Sequence, residues 1–99
     1  MKKLFSVLFV LLFFQSIYSQ TEADYFNKAA QYMENEQYKN AITYFSKAID
    51  LERNHTDTYH NRAICYLMLK NYSKAINDCD KIISINLLNK ATSPDDGIS

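Results

Sequence analysis

The chain has 99 residues, with 11 basic residues against 11 acidic ones, a single glycine and a single proline. This length leaves room for one small domain. The balanced charge offers no basic surface for nucleic acid, and one glycine cannot build a phosphate-binding loop.

The first segment, residues 1–19, has the layout of a secretory signal peptide. Lys2 and Lys3 precede an apolar run from Leu4 to Phe14, and Ser19 ends a short polar tail. The run is shorter than the roughly 20 residues of a membrane-spanning helix. We therefore predict cleavage after Ser19 and a secreted or periplasmic protein. The alternative is an uncleaved N-terminal anchor, which would make the chain a membrane-tethered adaptor.

Cleavage would leave residues 20–99 and would remove two of the 11 basic side chains, Lys2 and Lys3, so that the acidic side chains outnumber the basic ones by two. The mature chain would then carry neither a basic block nor a basic amphipathic face of the kind that lies on membranes.

The rest of the chain repeats itself at one constant spacing, the spacing that separates Tyr25 from Tyr59. Between residues 22–55 and 56–89, nine pairs are identical in this register: Tyr25/Tyr59, Asn27/Asn61, Ala29/Ala63, Tyr32/Tyr66, Tyr38/Tyr72, Ala41/Ala75, Ile42/Ile76, Lys47/Lys81 and Ile49/Ile83. Self-similarity at a fixed period of this size is typical of stacked repeats.

Each copy has the hydrophobic pattern of two helices, and no strand-like alternation competes. In the second half of each copy, apolar residues recur at helical spacing: Tyr38, Ala41, Ile42, Phe45, Ala48 and Ile49, then Tyr72, Ala75, Ile76, Cys79, Ile82 and Ile83. Thr21 with Asp24 predicts a capping box for the first helix, and Asn71 predicts the N-cap of the fourth.

Paired alanines predict that the helices of each copy approach closely. Ala29 and Ala41 lie at equal distances from Asn35, and Ala63 and Ala75 lie at equal distances from Leu69. In an antiparallel hairpin each pair is level, and small side chains there let the backbones come together.

This pattern of aromatic, small and Tyr-x-x-Ala-Ile residues resembles the tetratricopeptide repeat (TPR) family. Copy one covers 22–55 and copy two 56–89, within a domain of residues 20–89 and before an irregular or disordered tail of residues 90–99. The resemblance implies an all-α fold of two antiparallel helix-turn-helix hairpins, stacked as a short solenoid.

The sequence departs from the family pattern at two places in each copy. The usual turn glycine is replaced by Glu36 and Lys70, and the proline that follows the second helix is replaced by Arg53 and Leu87. We therefore expect less sharply fixed turns and helix ends that run on.

The resemblance also implies where a partner binds. In TPR arrays one face of the first helix of each copy lines a concave groove that holds an extended peptide or a partner helix. The corresponding residues are Phe26, Ala30, Met33, His60, Asn61, Ile64 and Met68. The alternative is that Ile64 and Leu67 simply pack between the copies.

The segment from Asn61 to Lys81 is similar to the middle repeat of chaperone-binding TPR domains, which clamp a C-terminal carboxylate. Asn61 matches one clamp residue, whereas Phe26 and Ala30 stand where that pattern has Lys and Asn. We predict that the chain lacks this clamp.

No catalytic constellation stands out, so the sequence predicts neither an enzyme nor a cofactor or metal site. His55 is predicted to lie in a loop and His60 on the exposed side of the third helix. Asp78 and Asp80, beside lysines, are predicted to form a solvated face.

Cys65 and Cys79 are too far apart along the predicted hairpin for a disulfide, since Cys79 lies about 9 Å along the axis from the residue level with Cys65. We predict two free thiols, with Cys79 buried where Phe45 lies in the first copy.

The last helix has nothing after it to cover Ile82, Ile85, Leu87 and Leu88, although stacked repeats usually need three units. The chain is therefore expected to form a homo-oligomer or bind a partner there, to be a truncated product of a longer repeat gene, or to be marginally stable. Our main prediction is an exported TPR module that binds another protein; the alternative is a truncated fragment without independent activity.

Overall fold

The computed structural model describes residues 20–92, and these residues contain helices and no strand. There are four helices: α1 (Glu22–Glu34), α2 (Tyr38–Leu51), α3 (Thr56–Met68) and α4 (Tyr72–Thr92). Helices α1 and α2 pack together as one hairpin, α3 and α4 form the second, and α2 packs on α3. The predicted all-α fold of two stacked hairpins is confirmed. The expectations for residues 1–19 and 93–99 fall outside the described range.

Both predicted helix caps are present. Before α1, the Asp24 backbone N–H donates to the Thr21 hydroxyl at 3.3 Å, and the Thr21 N–H donates to the Asp24 carboxylate at 2.9 Å. Before α4, the Asn71 side-chain oxygen accepts from the Lys74 N–H at 3.4 Å. These bonds satisfy backbone donors that the first helical turn leaves without a partner.

The two hairpin turns close in the same geometry. Glu36 and Lys70, which occupy equivalent positions in the two copies, both adopt a left-handed backbone, with φ of 62° and 61°. The following residue in each turn donates its N–H back into the helix, from Gln37 to the Tyr32 carbonyl and from Asn71 to the Tyr66 carbonyl, each at 2.8 Å. The turns are therefore well defined despite the missing glycines, contrary to our expectation, because these bonds satisfy the last carbonyls of each helix.

Helix α4 is 21 residues long and continues to Thr92. The prediction that a helix end would run on is confirmed for α4, and the expected irregular segment 90–99 is corrected in its first three residues. The reason is local: neither proline nor glycine interrupts the chain before Pro94, and Lys90 in the last turn favours a helix C-terminus. Helix α2, by contrast, ends at Leu51 although Arg53 replaces the proline.

The core lies between the two hairpins and is centred on Phe45. Phe45, Ala29, Ala41 and Cys65 are completely buried and form one cluster. The ring of Phe26 meets that of Phe45 edge-on, with centroids 5.5 Å apart. The second alanine pair, Ala63 and Ala75, is also buried, as the level spacing of the alanines predicts.

The cysteine prediction is half right. Cys65 and Cys79 are both free thiols, but Cys65 is the buried one and Cys79 is exposed. Phe45, the counterpart of Cys79 in the first hairpin, is buried because α2 packs on α3. The corresponding side of α4 faces no helix among the described residues.

Candidate functional site

The seven predicted groove residues divide between two helices that stand one repeat apart. Helix α1 carries three of them and α3 carries four: Phe26, Ala30 and Met33, then His60, Asn61, Ile64 and Met68. Met68, with 56% of its surface exposed, and His60 are exposed; the other five are partly buried. This surface therefore combines accessible side chains with others that also support the fold.

Phe26 has a structural role as well as a place in the predicted groove. Its ring lies 5.5 Å from Phe45 and 5.7 Å from the imidazole of His55, measured between ring centroids. Met33 packs against the same core cluster. The α1 side of the predicted groove therefore also contributes to the core of the fold.

Ile64, Leu67 and Met68 form the more accessible part. Ile64 is partly buried, whereas Leu67 and Met68 are 47% and 56% exposed. Leu67 is therefore accessible over nearly half of its surface, while the rest of the side chain is covered. These apolar side chains at the C-terminal end of α3 can contact a partner without a rearrangement of the hairpins.

His55 ties the two hairpins together at one end of this surface. Its Nδ1 lies 2.8 Å from Oε1 of Glu22, at the start of α1, and 3.2 Å from the hydroxyl of Thr58. The hydrogen bond with Glu22 raises the pKa of His55 above its usual value, against the opposing effect of burial. His55 lies in the loop between α2 and α3, as predicted. It also has a specific partner, Glu22, at the beginning of the first copy.

Asp78 forms a buried ion pair, so its predicted place on a solvated face is wrong. Arg62 donates to Asp78 through Nε at 2.9 Å and through Nη2 at 2.7 Å, and through Nη1 to the hydroxyl of Ser46 at 3.0 Å. Asp78 is only 4% exposed. Arg62 therefore joins α3 to both α4 and α2. Asp80 is exposed, as predicted.

The uncovered edge of the second hairpin agrees only in part with the one that the sequence predicts. Leu87 and Leu88 are 63% and 62% exposed, as expected, whereas Ile82 is partly buried. Five residues of α4 form an exposed apolar stripe, which we call the α4 stripe: Tyr72, Ile76, Cys79, Ile83 and Leu87. We expected the uncovered edge to include Ile85, which is only 2% exposed because it packs into the hairpin. The helical period distinguishes the exposed face of α4 from its packed face. Residues 72, 76, 79 and 83 lie on the first face, and residues 75, 78, 82 and 85 lie on the second.

Among residues 20–92 the structure brings together no group of three or more side chains able to hold a metal ion. In the same range, no helix combines the length and apolar character needed to span a membrane.

Comparison with known sequences points to a single family. Two sequence profiles, each described as tetratricopeptide repeat, match residues 25–55 and 56–86. The two matches meet without a gap and together span most of the two hairpins.

Several curated proteins are similar to the chain over part of their length. The human mitochondrial import receptor subunit TOM34 is 37% identical over 49 residues, which cover 50% of this chain and 16% of that protein. Heat shock protein STI1 of Saccharomyces cerevisiae is 43% identical over 51 residues, covering 50% of this chain and 8% of that protein. Sperm-associated antigen 1 of Rattus norvegicus is 34% identical over 59 residues, covering 60% and 7%. No solved structure matches at a comparable level of significance.

Proposed function

Because the chain belongs to the tetratricopeptide repeat family, we propose that it is a protein-interaction module that binds a peptide or a partner helix along the groove of α1 and α3. The observation that carries this proposal is the accessible apolar surface at Ile64, Leu67 and Met68. Leu67 and Met68 are exposed and Ile64 is partly exposed in the stacked hairpins. We propose that this surface recognises a partner by burying apolar contact area, and we propose no catalytic activity.

The chemistry of the groove favours a partner that presents apolar side chains. Phe26 and Ala30 occupy the places where a carboxylate clamp would need a cation and an amide. Met33 and Met68 are flexible and polarisable, which suits contacts with partners of varied shape. We propose that affinity comes from burying an apolar segment of the partner and not from capturing a charged chain end.

We further propose that the protein acts outside the cytosol, in a secreted or periplasmic location. The support is the charged start and short apolar run of residues 1–19. Sequencing the N-terminus of the native protein tests this: a start at Gln20 is expected. A start at Met1 would favour the membrane-tethered adaptor instead.

The groove is tested by selecting binding peptides from a random displayed library and measuring their affinity for two variants. Ile64→Glu/Met68→Glu should weaken binding at least tenfold, because each carboxylate would be desolvated by the apolar peptide. The matched control, Asn77→Glu/Ser84→Glu, adds the same charge at exposed positions of α4 and should bind normally.

Backbone chemical shifts locate the bound peptide independently of any mutation. Perturbations should cluster on α1 and α3. Perturbations confined to α4, or unchanged affinity in a groove variant whose circular dichroism is normal, would refute the groove proposal.

A second candidate is that these two repeats belong to a longer repeat protein and have no binding activity alone. The α4 stripe favours it, since a further repeat would cover that surface. Finding an in-frame continuation in the source DNA, together with selected peptides that fail to bind, would favour this candidate over the first.

A further inference from the structure

We propose that the α4 stripe is a self-association surface, on which a second copy of the chain docks its own α4 in antiparallel orientation, with Cys79 beside the two-fold axis. The stripe lies on a different helix from the groove residues. Its role as an interface can therefore be tested independently of the proposed groove.

The internal repeat identifies the stripe as a surface built for helix docking. Four of its residues have counterparts on α2: Tyr38, Ile42, Phe45 and Ile49, for Tyr72, Ile76, Cys79 and Ile83. On α2, Phe45 is fully buried and the other three are partly buried, since this side packs on α3. On α4, Tyr72, Ile76 and Ile83 are 58%, 59% and 56% exposed. The same apolar pattern is thus covered by a neighbouring helix on α2 and exposed on α4.

Helix α1 of a second copy is not suited to pack on the α4 stripe in the way that α3 packs on α2. Helix α3 packs on α2 with Thr58 and Cys65 completely buried. Their counterparts on α1 are Asp24 and Gln31, and both are exposed. Docking α1 on the α4 stripe would bury a carboxylate and an amide against isoleucines, which costs free energy without a hydrogen-bonding partner. Open-ended head-to-tail stacking is therefore disfavoured.

The stripe is instead complementary to itself. Residues 76 and 83 have their midpoint at 79.5, and so have residues 72 and 87. A two-fold axis at this point sets Ile76 level with Ile83 of the second copy, and Tyr72 level with Leu87. Two-fold pairing of one patch with itself is the commonest symmetry of homo-oligomers.

The cysteine lies at the centre of this arrangement. Cys79 is half a residue from the axis, or about 0.75 Å at the α-helical rise. The two Cys79 residues therefore face each other across the interface, within the roughly 7 Å between Cα atoms that a disulfide can span.

Charge and size set the strength of the pairing. Asp80, which is exposed, is also adjacent to the axis, so that pairing brings two like charges together. A helix contact from Tyr72 to Leu87 is about 22 Å long and covers less than the about 800 Å² per partner of a standard interface. We infer a reversible dimer, which tightens when salt is added or when Asp80 is replaced by Asn.

Sedimentation equilibrium of the purified chain over a wide concentration range tests the dimer. We expect the mean mass to rise from one chain to two and then stop. Ile76→Glu/Ile83→Glu should raise the dissociation constant more than tenfold, whereas the control Asn77→Glu/Ser84→Glu, which adds the same charge beside the stripe, should raise it far less. A monomer at every concentration, growth beyond two chains, or a dimer indifferent to the stripe variant would overturn the proposal.

Disulfide trapping tests the position of the axis, with oxidised glutathione as the oxidant. The Cys79 thiolate of one copy displaces one glutathione thiolate, and the Cys79 thiolate of the second copy then displaces the other. Two thiols lose two protons and two electrons, and one glutathione disulfide becomes two glutathione thiols. The covalent dimer should form in the Cys65→Ser variant and be absent in Cys79→Ser. Failure of Cys65→Ser to form it, while sedimentation shows a dimer, would refute the antiparallel register.

Discussion

Arg62 and Asp78 pair across the second hairpin through two parallel hydrogen bonds, at the register position where the first hairpin places Lys28 over the ring of Tyr44. The Arg62 bonds are 2.9 and 2.7 Å long, and the Lys28 ammonium lies 4.8 Å from the Tyr44 ring centroid. Residues 28 and 62 are equivalent positions of the two copies, as are residues 44 and 78. Each hairpin thus joins its helices by a cation, but with a different acceptor.

We predict that Asp78→Asn lowers the free energy of unfolding by about 3 kcal/mol, because it leaves the Arg62 charge buried without its counter-ion. Urea denaturation measures the loss. The exposed Asp50→Asn should change it by less than about 0.5 kcal/mol. Replacing both partners, as Arg62→Leu/Asp78→Leu, should cost less than Asp78→Asn alone; an equal or larger loss would contradict this account.

We predict that Lys70→Gly stabilises the protein by about 1 kcal/mol, because Lys70 holds a left-handed backbone that glycine adopts without a steric penalty. Its φ is 61°. The midpoint of urea denaturation should rise, and Glu36→Gly should have the same effect in the first turn. Lys70→Ala is the control, since alanine keeps the Cβ that causes the penalty; a gain of equal size with alanine would argue against backbone strain.

We predict that His55 makes stability fall as pH rises. Its hydrogen bond with Glu22 raises its pKa in the folded protein. The protonated form is therefore favoured on folding. The contribution is fully present below the unfolded pKa, about 6.5, and is lost as pH rises through the higher folded value.

NMR titration of the His55 ring measures this pKa, and thermal unfolding across the same pH range measures the effect on stability. Glu22→Gln should lower the His55 pKa and flatten the stability profile in that window. A His55 pKa that does not respond to Glu22→Gln would show that the 2.8 Å contact is absent in solution.

We predict that alkylation of the native protein by iodoacetamide modifies Cys79 and spares Cys65. Cys79 is exposed, whereas burial raises the pKa of the Cys65 thiol to about 11, which leaves little thiolate to react. Peptide mass spectrometry should find one adduct, at Cys79, in the native chain and two after denaturation. Fast modification of Cys65 under native conditions would show that the core opens readily.

Local and repeated signals were enough to predict the fold. The capping pair Thr21 and Asp24 and the level alanines Ala29 and Ala41 act within one helix or one hairpin, so that the chain order alone determines which residues meet. The constant period of the two copies predicts the stacking, because a repeated unit buries its apolar face against its neighbour.

The errors come from treating the two copies as equivalent. The repeat predicts for Cys79 the environment of Phe45, but burial depends on the neighbour that follows, and only α2 has one among the described residues. The lysines beside Asp78 in sequence predict a solvated face, although its partner Arg62 comes from another helix. The predicted loop position of His55 is confirmed, but the sequence does not indicate its contact with Glu22 at the start of α1. The first pair depends on how two helices pack within one hairpin and the second on how the hairpins stack, and neither period nor spacing reports them.

The length of α4 gives the molecule a gradient of local stability. Among the α4 side chains that the structure describes, Ile85 is the last buried one, yet the helix runs on to Thr92. In a linear stack each element is held only by its neighbours, so we expect the turns beyond Ile85 to open more readily than the rest. Amide protons should therefore exchange first there and last around Phe45, and the chain would lose its order from the C-terminal end inward.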